Sequence, residues 1–325
     1  MRERVPDRRW PDVPFRRGLG VGFDLPWGSG PVGFVPDAAS AHDALAPALA
    51  SFLSRPTPRW SHVWCSWQPR DRARLRLEDH ASAWDDLFAH VPDGAARALH
   101  HTALDLGQLA PVDRGALLDF TSALCQRYAL RWVNEDLGLW SLGGKPLPYP
   151  LPPFLTDAGL AAAIRNVRDV QARLDVPLVV EFPGFSQGVS VVVGPWDAYD
   201  YFRVLAEETG CAVTLDVGHL LSWRWLRGAR SAAELLAGLE RLPLAHCFEL
   251  HLSGCEIIGE RFVDAHHGVL LDAQLALLRT LLAACPHAAA VTFEDPRLDA
   301  AGTLVPSSAA SLTRLVDEVT PWITG

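Results

Sequence analysis

Short runs of β-branched, aromatic and other apolar residues alternate with longer stretches of helical periodicity along the chain. This alternation is typical of repeated βα units, in which helices connect the strands of a parallel sheet. Each run is therefore predicted to form one strand. The eight runs are Gly18–Asp24, His62–Trp67, Ala96–Asp105, Arg131–Gly138, Pro177–Pro183, Cys211–His219, His246–Gly254 and Ala289–Pro296.

The stretches around these runs predict the helices. Thr156, Ser231 and Ser307 stand where an N-cap is wanted, because their side chains can accept a hydrogen bond from a first-turn N–H group. The predicted helices are Ala39–Leu53, Arg114–Tyr128, Asp157–Leu174, Trp196–Thr209, Ala232–Leu242, Asp272–Ala284 and Ser307–Val319.

The fold class predicted from this order is α/β, a single-domain (β/α)₈ barrel of the triosephosphate isomerase (TIM) type. No Gly/Ser linker divides the chain, and an open sheet would need a reversal point and usually a Gly-rich phosphate turn. Gly18-Leu19-Gly20-Val21-Gly22 and Gly143-Gly144-Lys145 match neither phosphate motif, so they are predicted to be turn or strand-end glycines. Residues 18–325 form the predicted catalytic domain, and residues 1–17 form a basic N-terminal arm.

Composition narrows the class of protein. Hydrophobic residues make up 49% of the 325, which allows a sizeable core, and the net charge is −9. An acidic protein does not attract nucleic acid or anionic membranes, and no apolar run approaches the ~20 residues of a membrane span. The six cysteines are scattered without a CxxC motif, which favours a reducing compartment and a cytoplasmic location.

Acidic and histidine side chains recur near the ends of six predicted strands, where a barrel carries its catalytic groups. A single acid there is usually a salt bridge or a cap, but six strands together indicate a metal site. Mixed histidine and carboxylate ligands suit iron, manganese or zinc, and bridging carboxylates suit more than one ion. These groups are His100-His101, Glu135-Asp136, Glu181, Asp216 with His219, Glu249 with His251, and Glu294-Asp295, joined by Asp264-Ala265-His266-His267.

Other histidines and tryptophans have two interpretations. Trp223-Arg224-Trp225 follows the sixth strand and either clamps a substrate at the barrel mouth or packs a loop against the rim. The remaining histidines are predicted to be surface or hydrogen-bonded structural residues: His42, His62, His80, His90, His246 and His287.

Several short motifs, in this order and spacing, resemble the multinuclear non-haem iron-dependent oxidases that modify ribosomally made peptides, the family of the methanobactin-biosynthesis oxidase. The resemblance covers most of the chain. The motifs are Leu99-His100-His101, Leu104-Asp105-Leu106-Gly107, Val133-Asn134-Glu135, Trp140-Ser141, Leu147-Pro148-Tyr149-Pro150, Asn166-Val167, Val170-Gln171, Val180-Glu181, Thr209-Gly210-Cys211, Leu215-Asp216, Glu249-Leu250-His251-Leu252-Ser253-Gly254, Asp264-Ala265-His266 and Phe293-Glu294.

The resemblance implies a TIM-type barrel with two or three iron ions at the strand ends. It implies dioxygen-dependent modification of a ribosomal precursor peptide, commonly at cysteine, in natural product biosynthesis, together with a leader-binding partner protein. Asp264 and His266 are the expected catalytic residues. The expected metal ligands are His100, Glu135, Glu181, Asp216, His219, His251, Asp264, His266 and Glu294.

This chain departs from the family pattern at five places. Trp64-Cys65-Ser66 stands where a Glu-x-His is usual on the second strand, so a histidine ligand is missing. Asp136 replaces a histidine and Phe182 an asparagine, while His219 stands at an asparagine position and Cys255 at a histidine position. We therefore expect two ions rather than three, iron first and manganese or zinc as alternatives.

Two other functions fit the same residues. The first is a divalent-metal barrel that acts as an isomerase or hydrolase without a redox step. The second is a barrel that has lost its metal and serves as a binding or scaffold subunit. Elemental analysis after anaerobic purification, with a measurement of oxygen consumption, separates all three.

Overall fold

A computed structural model of the chain describes residues 10–23, 48–55, 58–67, 75–78, 84–85, 88–185 and 191–325. Residues 1–9 of the predicted arm and 39–47 of the first predicted helix lie outside these ranges. Residues 48–53 of that helix are helical.

Twelve strands lie in the described ranges. They are β1 (Gly18–Phe23), β2 (His62–Trp67), β3 (Ala96–His101), β4 (Val133–Asp136), β5 (Leu139–Leu142), β6 (Lys145–Leu151), β7 (Leu178–Glu181), β8 (Ala212–Asp216), β9 (Cys247–Leu252), β10 (Cys255–Ile258), β11 (Arg261–Asp264) and β12 (Ala290–Glu294). Eight of them close a parallel barrel in the order β1-β12-β9-β8-β7-β4-β3-β2, and β5–β6 and β10–β11 form antiparallel hairpins. Every predicted strand is present, so the predicted single-domain TIM-type barrel is confirmed.

The described α-helices follow the predicted pattern with three differences. Thr156 and Ser231 are N-caps as predicted, but α7 begins one residue before Ser307, at Pro306, because proline at the first helical position has a suitable φ. The predicted helix Ala232–Leu242 ends early, and α4 was not predicted. The helices are α1 (Gly115–Tyr128), α2 (Asp157–Arg173), α3 (Ala198–Thr209), α4 (Val217–Leu226), α5 (Ala232–Leu235), α6 (Asp272–Ala284) and α7 (Pro306–Thr324). In these ranges no helix combines the length and apolar character needed to cross a bilayer.

The glycines of β1 make room for side chains inside the barrel. A Cβ atom at Gly20 would lie 2.2 Å from Nε2 of His62, and one at Gly22 would lie 2.0 Å from Cε2 of Trp64. Because successive side chains of a strand point to opposite faces, the residues between these glycines pack outward against the helices. The prediction of turn or strand-end glycines is therefore wrong for Gly20 and Gly22, which lie within β1 and leave room for side chains inside the barrel.

Aromatic rings close the N-terminal end of the barrel. Phe248 contacts Trp132 inside it, and Trp10 packs edge-on against Phe248 with ring centroids 6.3 Å apart. Phe15 stacks on His62 at 5.5 Å. The described part of the predicted arm thus covers this floor, while the arm's boundary at residue 18 stays a prediction. The carboxyl ends of the strands form the opposite end, which we call the mouth.

The two tryptophans of α4 are packing residues. Trp223 is 2% exposed and its ring centroid lies 4.7 Å from that of Phe185. Trp225 donates its Nε1–H to the Glu260 carbonyl, which lies between β10 and β11. Buried rings do not offer a face to substrate, so packing, one of the two interpretations of this pair, fits the structure better than the substrate clamp.

We expect Trp223→Ala to lower the free energy of unfolding by about 3–5 kcal/mol, because it leaves a large cavity beneath α4. Chemical denaturation of both proteins measures the change. Trp196→Ala, at a half-buried ring, is the matched control and should cost clearly less. An unchanged unfolding midpoint in Trp223→Ala would contradict the packing assignment.

Candidate metal centre

Six neighbouring barrel strands each direct one ionisable side chain inward at their carboxyl ends. These strands are neighbours in the barrel, in the order β12, β9, β8, β7, β4 and β3, and all six side chains are buried. Strands β1 and β2 complete the circle with Gly22 and Ser66. The six residues are Glu294, His251, Asp216, Glu181, Asp136 and His100.

Four of these side chains form one compact group, which we call site one: His100, Glu181, His251 and Glu294. Nε2 of His100 lies 3.1 Å from Oε2 of Glu181. Nδ1 of His251 lies 3.2 Å from the same oxygen and 2.6 Å from Oε1 of Glu294. Two imidazole nitrogens and two carboxylate oxygens therefore converge at distances that a single ion could bridge.

A second group, site two, consists of His219, Asp264 and His266. His219 lies in the first turn of α4, Asp264 ends β11, and His266 follows in the next loop. Nε2 of His219 and Nε2 of His266 lie 3.1 and 3.3 Å from Oδ2 of Asp264. The structure thus brings His219 together with the Asp264-Ala265-His266 segment, which lies 45 residues further along the chain.

Hydrogen bonds orient each member of site two. Nδ1–H of His219 donates to the Phe182 carbonyl at 2.7 Å, and Nδ1–H of His266 donates to Oδ2 of Asp295 at 2.9 Å. The Ser253 hydroxyl donates to Oδ1 of Asp264 at 2.5 Å. Both imidazoles therefore direct Nε2, and Asp264 directs Oδ2, toward the same point, where both nitrogens lie within 3.3 Å of Oδ2. Such outer partners fix the tautomer and direction of metal ligands.

Backbone strain accompanies this arrangement. His266 and Asp295, which bond to each other, have φ of 44° and 43°, in the left-handed region that residues other than glycine rarely adopt. Conformations of this kind persist where the surroundings impose them and are frequent at functional sites. The loop of site two and the end of β12 are therefore held in one arrangement.

Glu181 connects the two sites. Its Oε1 lies 3.6 Å from Nδ1 of His219, while its Oε2 belongs to site one. Asp136 is on the same side, with Oδ1 3.9 Å from His219 Nδ1. Asp136, Glu181 and His219 form a third group of possible donors, in which Nδ1 of His219 faces the two carboxylates. Because this nitrogen already donates to the Phe182 carbonyl, we assign His219 to site two.

The charges of the centre favour cations. Burial and the nearby charges of Glu294, Asp264 and Glu181 raise the pKa of Asp216 to about 8, and burial with the charge of Glu181 raises that of Asp136 to about 6. Oδ2 of Asp216 and Oδ1 of Asp136 make no hydrogen bond to any described residue. Buried carboxylate oxygens that accept no hydrogen bond fit a site for divalent ions. A bound ion would neutralise these carboxylates in place of the protons that their raised pKa values favour.

The pKa values of two histidines in the centre are also raised, although burial alone would lower them. Burial opposes their protonation, but the charges of Glu294, Glu181 and Glu249 outweigh it and raise the pKa of His251. Asp216 and Asp264 likewise raise the pKa of His219. An ion would have to displace protons from both imidazoles, so metal binding at this centre is coupled to pH.

We expect the chelator-treated protein to become less stable as the pH rises from about 6.5 to 8. In this window the folded form retains protons on Asp216, His219 and His251 that the unfolded chain has released, since all three pKa values are raised. Saturating Zn²⁺ should reverse the trend. Melting temperatures in EDTA and in Zn²⁺ measure it, and Asp216→Asn should flatten the EDTA slope. A melting temperature in EDTA that increases over this range would contradict the assignment.

Glu135, a predicted ligand, lies outside both groups of donors. The alternation of β4 turns Asp136 inward and Glu135 outward. Oε1 of Glu135 accepts from the N–H groups of Leu104 and Asp105 at 2.9 and 3.2 Å, and Oε2 lies 3.2 Å from Nδ1 of His101. This carboxylate therefore fixes the loop after β3. Asp216, also a predicted ligand, borders both groups and caps α4 through the His219 N–H at 2.6 Å.

The positions that depart from the family pattern have identifiable places. The Phe182 ring points outward and packs against Phe185, Tyr199 and Phe202. The Cys65 side chain lies in the core outside the barrel. Cys255 is buried beside site two, with Sγ 3.8 Å from Oδ1 of Asp264. None of these three side chains belongs to either group of donors.

The chain is similar to a known family over most of its length. Residues 79–310 match the family described as "RiPP precursor modification enzyme MbnB/TglH/ChrH". A UPF0276 protein of Bordetella pertussis is 30% identical over 236 residues, covering 67% of this chain and 78% of that protein. A UPF0276 protein of Rhizobium meliloti is 27% identical, and the match spans 58% of this chain and 60% of the relative.

Solved structures support the barrel architecture. A xylose isomerase domain protein from Alicyclobacillus acidocaldarius superposes with a TM-score of 0.50 at 15% identity, covering 94% of this chain and all of that one (100%). D-psicose 3-epimerase from Clostridium cellulolyticum H10 gives 0.50 at 9% identity, with 94% and 97% coverage. At such low identity the likeness concerns the fold alone.

Proposed function

We propose that this chain, which belongs to the MbnB/TglH/ChrH family of RiPP precursor modification enzymes as a divergent member, oxidises a ribosomally made precursor peptide with two iron ions and dioxygen. We assign a cysteine of the peptide as the modified residue. The observation that carries the proposal is the pair of adjacent donor groups, sites one and two, connected by Glu181.

The donor types favour iron. Both groups consist of imidazole nitrogens and carboxylate oxygens, and neither includes a thiolate. Mixed donors of this kind suit iron, with manganese and zinc as the next candidates. Bound iron would supply one-electron redox chemistry with dioxygen, which no amino-acid side chain here offers. His100, Glu181, His251 and Glu294 would hold one ion, and His219, Asp264 and His266 the other.

The two sites differ in access, which assigns them different roles. His251 of site one is fully buried, whereas the His266 side chain of site two is 27% exposed. A substrate side chain entering from the mouth therefore reaches site two first. Within site two, Asp295 and Ser253 hold His266 and Asp264 in place, so we assign those two ligands as the catalytic pair. Fixed ligands keep the reacting atoms aligned.

The partners follow from this function. The substrate is a precursor peptide, and we propose that a leader-binding protein delivers it to the mouth. All six cysteines are free and buried, which agrees with a reducing, cytoplasmic setting. The two hairpins follow directly after the barrel strands β4 and β9, so they lie at the mouth, where the peptide would enter.

The decisive experiment combines metal content, oxygen consumption and peptide mass. Protein purified without oxygen and loaded with Fe²⁺ is incubated with a cysteine-containing precursor peptide and its leader-binding protein. We expect oxygen uptake and a mass change confined to the core peptide. The same peptide with serine in place of cysteine is the matched control and should remain unmodified.

Other outcomes would replace the proposal. Bound divalent metal without oxygen uptake, under conditions in which the peptide binds, would favour a non-redox isomerase or hydrolase. Absence of tightly bound metal after anaerobic purification and reloading would favour a binding or scaffold subunit. A change of mass with the serine peptide would retain the enzyme but overturn the cysteine assignment.

A further inference from the structure

We propose that Glu249 is a positioning residue that makes His251 bind the ion of site one through Nδ1, by holding the opposite ring nitrogen. The inference deepens the proposed function and rests on its premise that site one takes an ion. It concerns a buried carboxylate two residues before His251 on β9 that belongs to neither donor group.

Glu249 is fixed from the floor of the barrel. The Trp132 indole donates to its Oε2 at 2.9 Å, and the Thr292 hydroxyl donates to its Oε1 at 2.5 Å. The carboxylate itself is fully buried. Both of its oxygens thus accept a hydrogen bond from a residue outside the metal centre, so its position does not depend on a bound ion.

A further histidine supports this anchor. Because the Thr292 hydroxyl gives its proton to Glu249, its oxygen accepts from Nε2–H of His62 at 2.7 Å. The His62 ring in turn contacts the Ser61 hydroxyl at 2.8 Å and fills the space left by Gly20. A chain of buried polar groups therefore runs from the floor to Glu249.

The His251 ring has two different sides. Nδ1 faces Glu294 at 2.6 Å and Glu181 at 3.2 Å, within site one, whereas Nε2 lies 3.2 Å from Oε1 of Glu249. The Trp64 indole stacks on the ring at 29°, with centroids 5.6 Å apart, and blocks its sideways movement. An ion among the site-one carboxylates would take Nδ1, so the neutral ring would carry its one proton on Nε2, facing a carboxylate that can only accept.

This arrangement distinguishes His251 from the other three histidines of the two sites, since His100 also faces its site with Nε2. His219 and His266 of site two offer Nε2 and hold Nδ1, whereas His251 offers Nδ1 and holds Nε2. A negative group behind an imidazole also increases the basicity of the coordinating nitrogen. Glu249 should therefore affect metal affinity at site one and leave site two unchanged.

The test uses ¹¹³Cd²⁺ as the probe and protein with ¹⁵N-labelled histidine, with the His251 signals assigned by their absence in His251→Asn. In the wild-type protein we expect cadmium coupling to Nδ1 of His251 and a retained proton on Nε2. Coupling to Nε2 instead would overturn the proposal. This measurement needs no variant, so it remains decisive if substitutions at Glu249 impair folding.

In Glu249→Gln we expect cadmium affinity at site one to fall by about 10–100-fold, as is usual when an outer partner of a metal ligand is lost. Site two should keep its affinity, and Glu207→Gln, at an exposed glutamate, should match the wild type at both sites. Wild-type affinity and an unchanged His251 spectrum in folded Glu249→Gln would overturn the proposal. Neither readout requires oxygen or peptide, so failed turnover with the expected cadmium spectra would count against the proposed function alone.

Discussion

Replacing His251 with alanine is expected to reduce bound metal from about two ions per chain to about one, because site one loses the imidazole that joins its two carboxylates. Nδ1 of His251 lies 3.2 Å from Oε2 of Glu181 and 2.6 Å from Oε1 of Glu294, so the substitution removes the nitrogen that faces both carboxylates. Elemental analysis of the anaerobically loaded variant measures the loss.

Matched variants separate this effect from general damage. His219→Ala should remove the other ion, and His287→Ala, at an exposed histidine, should remove none. Without its imidazole, site one leaves buried carboxylates facing one another, so chelator-treated His251→Ala should lose about 3–5 kcal/mol of stability. Circular dichroism verifies folding before the metal is counted. Full metal content in folded His251→Ala would rule out site one as assigned.

The barrel could be predicted from sequence because each strand carries its own signal. Apolar and β-rich runs recur with helical stretches between them, and every one of these runs is a barrel strand in the structure. The two hairpins were not predicted, since β5–β6 contains several prolines and β10–β11 is short and mostly exposed. Helix α4 was missed because it begins directly after β8 without a linker.

The ligands on strands could be predicted in type but not always in position. Glu135 and Asp136 are adjacent acids, and the resemblance favoured Glu135. Alternate side chains of β4 face the same side, so Asp136 shares the inward face with Asn134 and lies beside Glu181 of β7, while Glu135 faces outward. Counting alternate positions from an interior residue such as Trp132 would have separated these two acids.

Site two depends on tertiary structure that no local pattern contains. Its candidate ligands come from α4, from the end of a hairpin and from a loop, and left-handed backbone at both residues accompanies the hydrogen bond between His266 and Asp295. In the sequence, Asp295 is distinguished only by its position next to Glu294. The supporting role of Glu249 is equally non-local, because Trp132 and Thr292 reach it from β4's start and from β12.

Fully loaded protein is expected to bind about two ions, not three, because one side of the centre lacks donors. On β2 the Trp64 indole stands inside the barrel, with its ring 4.9 Å from that of His100 and 5.6 Å from that of His251. Gly22 on β1 has no side chain, and the indole occupies the space beside it. In the described part of the chain, β1 and β2 thus contribute Gly22, the Trp64 indole and the Ser66 hydroxyl to this side, and no imidazole or carboxylate of either donor group.

Cys65→Ala distinguishes this explanation from a thiolate-bound third ion, because Cys65 is the potential substitute ligand on β2. Burial raises the pKa of the Cys65 thiol well above its usual value, and its side chain packs in the core outside the barrel. A protonated, outward-facing thiol is a poor ligand, since metals bind the thiolate. Elemental analysis of fully loaded wild type and Cys65→Ala should therefore give the same count of about two. A third tightly bound iron that disappears in Cys65→Ala would show that β2 supplies a ligand after all.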